Sequence, residues 1–284
     1  MPQSKTLFST HYLEKRLPQH PEWEAEVAAD LEAVRALWER AQAYGASWDE
    51  AQTEEEFIRP MLELLGWHAI VQPKARHAGR RRRPDYALFP DAATRDAAYP
   101  HQGEDDAFYA PALAIGEAKY WQRPLSKRDE AGREAWDRST NPSYQIVSYL
   151  VGTGVAWGIL TNGRIWRLYS REVSSTASEF YEIDLADIFA EASEPNVQPP
   201  TSNFQPPMSN FKRFWLFFRR DAFISDAQGR CFVQRVHEGS ATYAREISDK
   251  LKELVYAEVM PEIAGGFIAY RREQRGIEQE TEES

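Results

Sequence analysis

Residues 113–120 read Leu-Ala-Ile-Gly-Glu-Ala-Lys-Tyr, an apolar run that ends in two opposite charges. A β-strand sends successive side chains to opposite faces. Glu117 and Lys119 therefore share a face with Leu113 and Ile115, while Ala112, Ala114, Gly116 and Ala118 line the other. Every residue on that second face is small, so a helix can pack close behind it. A strand with an apolar base and a Glu/Lys tip is costly to build unless the tip is paired or used. The segment therefore reads as an interior strand of a sheet, with its charged end at the margin of the core.

The flanking sequence supplies elements to cover such a strand. Trp23, Val27, Leu31, Val34, Leu37 and Trp38 recur at helical spacing, which predicts a helix over residues 21–42 with Gly45 just past its end. A second helix is expected over 48–65, with Phe57, Ile58, Met61, Leu62, Leu64 and Leu65 as its apolar face and Gly66 closing it. Residues 67–72 alternate as an edge strand, and Tyr86–Phe89 reads as another. Residues 90–111 read as a long polar loop, which in a compact domain is usually functional or mobile. Asn141 caps a helix that Pro142 opens, expected to run to about Val151 and stop at Gly152. Val155–Thr161 and Arg164–Tyr169 flank Asn162-Gly163, a strong hairpin signal. A strand over 180–184 and a short helix over 185–190 complete this region.

Five of the 17 prolines fall between Pro195 and Pro207, which marks a linker. The expected organisation is an N-terminal helical segment over 1–45, a main domain over 46–192, a Pro-rich linker over 193–208 and a helical extension over 209–284. Phe211, Phe214, Trp215, Phe217 and Phe218 read as buried docking residues, with a base-stacking platform as the sharper alternative. A long helical stretch over 241–272 should be interrupted at Pro261 and at Gly265-Gly266. Tyr243, Ile247, Leu251, Leu254, Val255 and Val259 form its apolar stripe, which would drive dimerisation if exposed.

Composition removes whole classes of function. A single cysteine, Cys231, excludes an internal disulfide framework and any multi-cysteine zinc site. No apolar run nears the ~18 residues of a membrane-spanning helix, and the first residues lack the apolar core of a secretion signal. A cytoplasmic place of action is the expectation. The net charge of −10 at first argues against a nucleic-acid partner. Its distribution argues otherwise: Lys74, Arg76, Arg80, Arg81, Arg82 and Arg83 form a strip without an acid, and the acids crowd residues 91–106. That is either two solvated loops or a phosphate-contacting strip beside a site that needs carboxylates.

The chemistry-bearing residues are Asp85, in Pro84-Asp85 beside one strand, and Glu117 with Lys119 on another. Two carboxylates converging on adjacent strands make a hard-oxygen cage for Mg²⁺. Such an ion lowers the pKa of bound water and neutralises charge at a phosphate. Lys119, two residues on, is placed to orient the attacking water or to stabilise developing charge. Taken alone, a Glu-X-Lys triplet fits a surface ion pair equally well.

The set resembles the PD-(D/E)XK nuclease superfamily, and more closely the N-terminal nuclease region of type IIG restriction-modification enzymes. The matching stretches are residues 49–53, 57–62 with 65–67, 83–89, 116–121, 141–145 and 157–163, which cover roughly residues 45–190 in the family's order. The resemblance implies an α/β restriction-endonuclease-like core, a central mixed sheet flanked by helices, with a C-terminal helical extension. It implies a Mg²⁺-dependent DNA endonuclease of a restriction-modification or phage-defence system, with Mn²⁺ able to substitute. Asp85 and Glu117 would be metal ligands and Lys119 the catalytic lysine. Glu50 matches the acidic residue that such nucleases place on the first helix near the metal and would be a third metal ligand, and Glu54, one turn on, is the substitute if the register slips. Gln145 and Tyr149 resemble a Gln-x-x-x-Tyr feature beside the site and share one helix face, although Tyr149 suits core packing equally. Lys74 and Arg80–Arg83 would contact phosphates, which positions DNA without reading its sequence.

Asn141-Pro142-Ser143-Tyr144 looks superficially like the Asn-Pro-Pro-Tyr loop of DNA amino-methyltransferases, but the second proline is Ser143 and no S-adenosylmethionine loop precedes it. Helix capping is the sufficient explanation, and no S-adenosylmethionine site is expected. In the resembled family a helical spacer leads into methyltransferase and target-recognition domains. The expected partners are therefore DNA, a methyltransferase or specificity subunit or the missing C-terminal domains, and a second copy of the chain, without a membrane. The competing reading is a catalytically silent DNA-binding or assembly module of a larger defence complex.

Overall fold

The computed structural model describes residues 3–4, 7–73, 83–121, 123–126, 141–173, 177–191 and 207–282. The chain divides into two compact units, Met1–His237 and Glu238–Ser284.

The first unit is an α/β fold on one mixed sheet. A two-residue strand, β1 (Gln3–Ser4), lies at one edge. Six longer strands follow: β2 (His68–Val71), β3 (Tyr86–Phe89), β4 (Ala114–Ala118), β5 (Trp157–Thr161), β6 (Ile165–Ser170) and β7 (Tyr181–Asp184). Their spatial order is β1-β7-β6-β5-β4-β3-β2, so β2 is the opposite edge, as its alternating sequence predicts. Among the described strands only β4 and β5 run parallel, and the other pairs are antiparallel. A parallel pair needs a crossover, and the helix Pro142–Thr153 supplies it. All five residues of β4 are buried, as the apolar base of that segment requires.

Register assigns the faces. Ile115 pairs with Gly158 and Gly158 with Tyr169, so these three share a face. The crossover helix covers it: a Cβ on Gly158 would lie 2.9 Å from Ile146 Cγ1. On the other face Trp166 meets the rings of Phe214 at 5.6 Å and Phe218 at 5.7 Å, which belong to the helix Pro207–Phe218. Helices therefore cover both faces. Close helix packing occurs at Gly158 rather than on the small face of β4. At Gly116 the space is filled by Tyr86 of β3, whose Cβ would stand 3.2 Å from a Cβ added there.

Several expectations need correction. The stretch 90–111 is not a loop: it holds helices Ala92–Ala98 and Asp105–Tyr109, the first capped by Asp91 accepting from Thr94 N. The helix expected over 21–42 begins instead with a 3₁₀ turn, Pro21–Glu24, and the α-helix spans Ala28–Tyr44. The crossover helix runs through Gly152 to Thr153 and ends at Gly154, whose φ of 76° fits a left-handed cap. The two compact units divide after His237, and most of the expected Pro-rich linker lies outside the described residues. Phe211, Phe214, Phe217 and Phe218 are all 0% exposed.

The helix Phe232–Leu254 continues into the second unit, which adds a π-turn at Val255–Val259 and a helix Met260–Glu282. The expected breaks at Pro261 and Gly265-Gly266 do not occur. Pro261 lacks the N–H that would bond the carbonyl of residue 257, and the π-turn absorbs that defect. Among the described residues, no helix is long and apolar enough to cross a membrane.

Candidate active site

The paired strands β3 and β4 bring the chemistry together. Their last pairing is Tyr86 with Gly116, which sets Asp85 and Glu117 as the next facing positions on the side of Ala87 and Ile115. Asp85 stands just before β3, and its Oδ2 accepts from Ala118 N at 2.8 Å, so a side chain prolongs the ladder. Glu117 is 4% exposed and lies within hydrogen-bonding reach of Asp85. Lys119 Nζ donates to Glu117 Oε1 at 2.6 Å and to the Ala118 carbonyl at 2.7 Å.

Two carboxylates and one ammonium share this buried spot. Burial first, and then the Asp85 charge, push the Glu117 carboxyl up to about 8, against the opposing pull of Lys119. Burial alone would lower Lys119, but Glu117, then Asp85 and Glu50, hold its ammonium above the usual lysine range. A carboxyl pushed that high holds its proton through neutral pH.

Residues 50–64 form one helix broken by a π-turn at Glu54–Ile58. Asp49 opens it with a capping box to Gln52. Glu50 is exposed on the first turn and within electrostatic reach of Lys119. Glu54 is buried, and its Oε2 accepts from Tyr86 Oη at 2.5 Å. Arg59 Nη2 lies 3.9 Å from the same oxygen. Burial raises the Glu54 carboxyl, the Tyr86 hydrogen bond opposes that rise, and the Asp85 charge reinforces it. π-turns inside α-helices recur at functional sites. Here the turn begins at Glu54.

The other expected residues are placed as follows. Tyr149 is buried in the main core with Ile115 and Leu160. Gln145 is half-buried on the same helix. Arg83 turns back onto the fold, its Nη1 donating to the Pro73 carbonyl. Lys74, Arg80, Arg81 and Arg82 lie outside the described residues.

Sequence reasoning missed three supports. Tyr86 fills the space over Gly116 and holds Glu54, and a glycine facing an aromatic across a strand pair is the signal for it. Thr53 accepts a hydrogen bond from Trp121 N at 3.2 Å. Arg167, 7% exposed and level with Leu160 and Glu182, donates to Glu182, Ser126 and Ser143 and lies over Phe180 at 4.1 Å. Its charge is matched by Glu182, so the network braces the loop after β4 against the crossover helix.

Asp85 and Glu117 offer hard oxygens to a divalent cation, and the Asp85 charge that raises the Glu117 carboxyl marks where a cation would relieve repulsion. Among the described residues, no group of three or more His, Cys, Asp or Glu is arranged to hold a metal ion. The donor set fits Mg²⁺ in its usual manner of binding, with one or two carboxylates from the protein and the remaining positions filled by water and phosphate oxygens. Comparison of the chain with protein-family models, with curated proteins and with solved structures finds no match.

Proposed function

We propose that this chain is a Mg²⁺-dependent DNA endonuclease with a PD-(D/E)XK-type site on a restriction-endonuclease-like core. It would act in the cytoplasm within a restriction-modification or phage-defence system. One observation carries this reading: Asp85, just before β3, faces Glu117 on β4, with Lys119 Nζ 2.6 Å from Glu117, at a buried strand end. An ion held by Asp85 and Glu117, with Mn²⁺ as a substitute for Mg²⁺, would supply an activated water and neutralise phosphate charge. Lys119 would orient that water, and Glu50 and Glu54 would add negative charge at the margin. Gln145 sits on the adjoining helix. Lys74 and Arg80–Arg83 would contact flanking phosphates. A methyltransferase or specificity subunit, further domains or a second copy of the chain would deliver the DNA.

The test is cleavage of supercoiled plasmid with Mg²⁺ or Mn²⁺ by the wild type, Asp85→Ala and Lys119→Ala. We expect nicking or linearisation by the wild type and a loss of at least about 100-fold in both variants. Equal activity in all three would refute the site. That no group of three or more acids, histidines or cysteines among the described residues is arranged for a metal favours a second reading, a catalytically silent DNA-binding module. Wild-type protein that shifts DNA on a gel and never cuts it would favour that reading.

A further inference from the structure

We propose that Trp121 is a positioning residue that fixes the acidic helix, with Glu50 and Glu54, against the strand tip that carries Glu117 and Lys119. The proposal rests on the nuclease reading and deepens it. Trp121 follows Lys119 by two residues and is 8% exposed, although it lies beyond the end of β4. Three segments from distant parts of the sequence close on its indole. A Cβ at Gly163, in the β5–β6 turn, would come within 2.8 Å of Trp121 Cε3 and Cζ3. A Cβ at Gly45, at the end of the helix Ala28–Tyr44, would come within 3.0 Å of Cδ2. Phe57, on the π-turn of the acidic helix, meets the ring edge-on at 5.1 Å. Trp38 at 5.6 Å and Trp48 at 6.1 Å close the remaining sides.

The backbone completes the lock. Trp121 N donates to Thr53 Oγ1, a hydroxyl with no exposure that lies between Glu50 and Glu54 in the chain. Thr53 Oγ1 in turn donates to the Asp49 carbonyl at 2.8 Å. Upstream, Lys119 N donates to the Thr161 carbonyl at 2.8 Å, and Thr161 Oγ1 accepts from Gly163 N at 2.9 Å. The turn that grips the indole is thus the turn that fixes the lysine backbone. Gly163, with φ of 84°, serves the hairpin and also lets the ring approach. A wedge at this junction sets how far the acids stand from the ammonium, and misplacing a reacting group by about 1 Å can cost about 10²-fold in rate.

The test compares wild type, Trp121→Phe, Thr53→Val, Thr53→Ser, Asp85→Ala and Phe217→Leu. Phe217 packs on Phe8 and Tyr181, away from the site, and serves as a control for lost stability. Plasmid cleavage is measured at a temperature where every variant is folded, with kcat and KM separated. We expect Trp121→Phe and Thr53→Val to lower kcat about 10- to 100-fold with KM changed less than about 2-fold. Thr53→Ser, which keeps the acceptor, should restore most of that loss, and Phe217→Leu should keep kcat. If wild type cuts, Asp85→Ala does not and Trp121→Phe keeps full kcat, the positioning role is overturned while the nuclease reading stands. If wild type and Asp85→Ala are equally inactive, the nuclease reading fails and the proposal falls with it.

Discussion

Glu117 concentrates the tension of the site in one side chain. Burial and the facing Asp85 both oppose its negative charge, and Lys119 compensates only in part. Its folded pKa, about 8, lies well above the ordinary glutamate value. A group with a raised folded pKa stabilises the fold below its ordinary pKa and loses that contribution as pH rises through the folded value. Glu117→Gln imitates the protonated acid at every pH. In metal-free buffer the variant and wild type should melt alike near pH 5. The variant should then gain a margin on the order of 2 kcal/mol by pH 9. Thermal melts across that range check it, and a flat difference would count against a strained Glu117. The sequence disclosed the members of this site, because alternation along residues 113–120 places Glu117 and Lys119 on one face. It did not disclose that Asp85 would prolong the strand ladder through its own carboxylate, since that depends on where the β3–β4 pairing stops.

Among the elements, strands were legible and helix ends were not. Tyr86–Phe89 and the strand around Glu117 follow from apolar runs with flanking turn residues. The helix Ala92–Ala98 escaped notice because only Ala98 is buried, so it carries no apolar stripe to read. The end of the crossover helix was misplaced by two residues because two glycines compete there. Gly152 is helical with nothing within 4 Å of its Cβ position, while Gly154 takes the left-handed cap. The helix therefore offers two opposite substitutions. Gly152→Ala should raise stability by about 0.5–1 kcal/mol, because alanine loses less entropy in a helix and meets no neighbour. Gly158→Ala, facing that helix from β5, should lower stability by about 1–3 kcal/mol, because its methyl would press on Ile146 and Leu150. Chemical denaturation of both variants tests the packing directly, and a destabilised Gly152→Ala or a neutral Gly158→Ala would contradict it. The role of Trp121 was illegible for a different reason: its cage is assembled from Gly45, Phe57 and Gly163, which nothing in the local sequence links.

At the scale of the whole molecule, charge and cysteine content constrained function more than they constrained shape. The aromatic helix Pro207–Phe218 belongs to the first unit, with Phe211, Phe214, Phe217 and Phe218 buried. The second unit presents Ile247, Leu251, Leu254, Val259, Ile263 and Phe267 to solvent, each at least 45% exposed. A π-turn advances the helix by fewer degrees per residue than an α-turn. The turn at Val255–Val259 therefore brings Ile263 and Phe267 back toward the line of Ile247 and Leu251. Among the described residues the buried acids, Glu54 and Glu117, both lie within electrostatic reach of Asp85, and that arrangement gives the molecule a global readout. A cation bound between Asp85 and Glu117 would bind the folded chain and not the unfolded one, so it would stabilise the fold by mass action. At a metal concentration one hundred times its dissociation constant the gain is about 2.7 kcal/mol. For a unit of this size that corresponds to a rise of about 5–10 °C in Tm. Because the proton on Glu117 must leave first, the rise should be larger at pH 8 than at pH 6. Asp85→Ala should abolish it, whereas Phe217→Leu, remote from the strand end, should lower Tm without changing the increment. Calorimetric scans with and without Mg²⁺ or Mn²⁺ separate these outcomes without any need for DNA. A rise that persisted in Asp85→Ala would place the cation elsewhere on the chain.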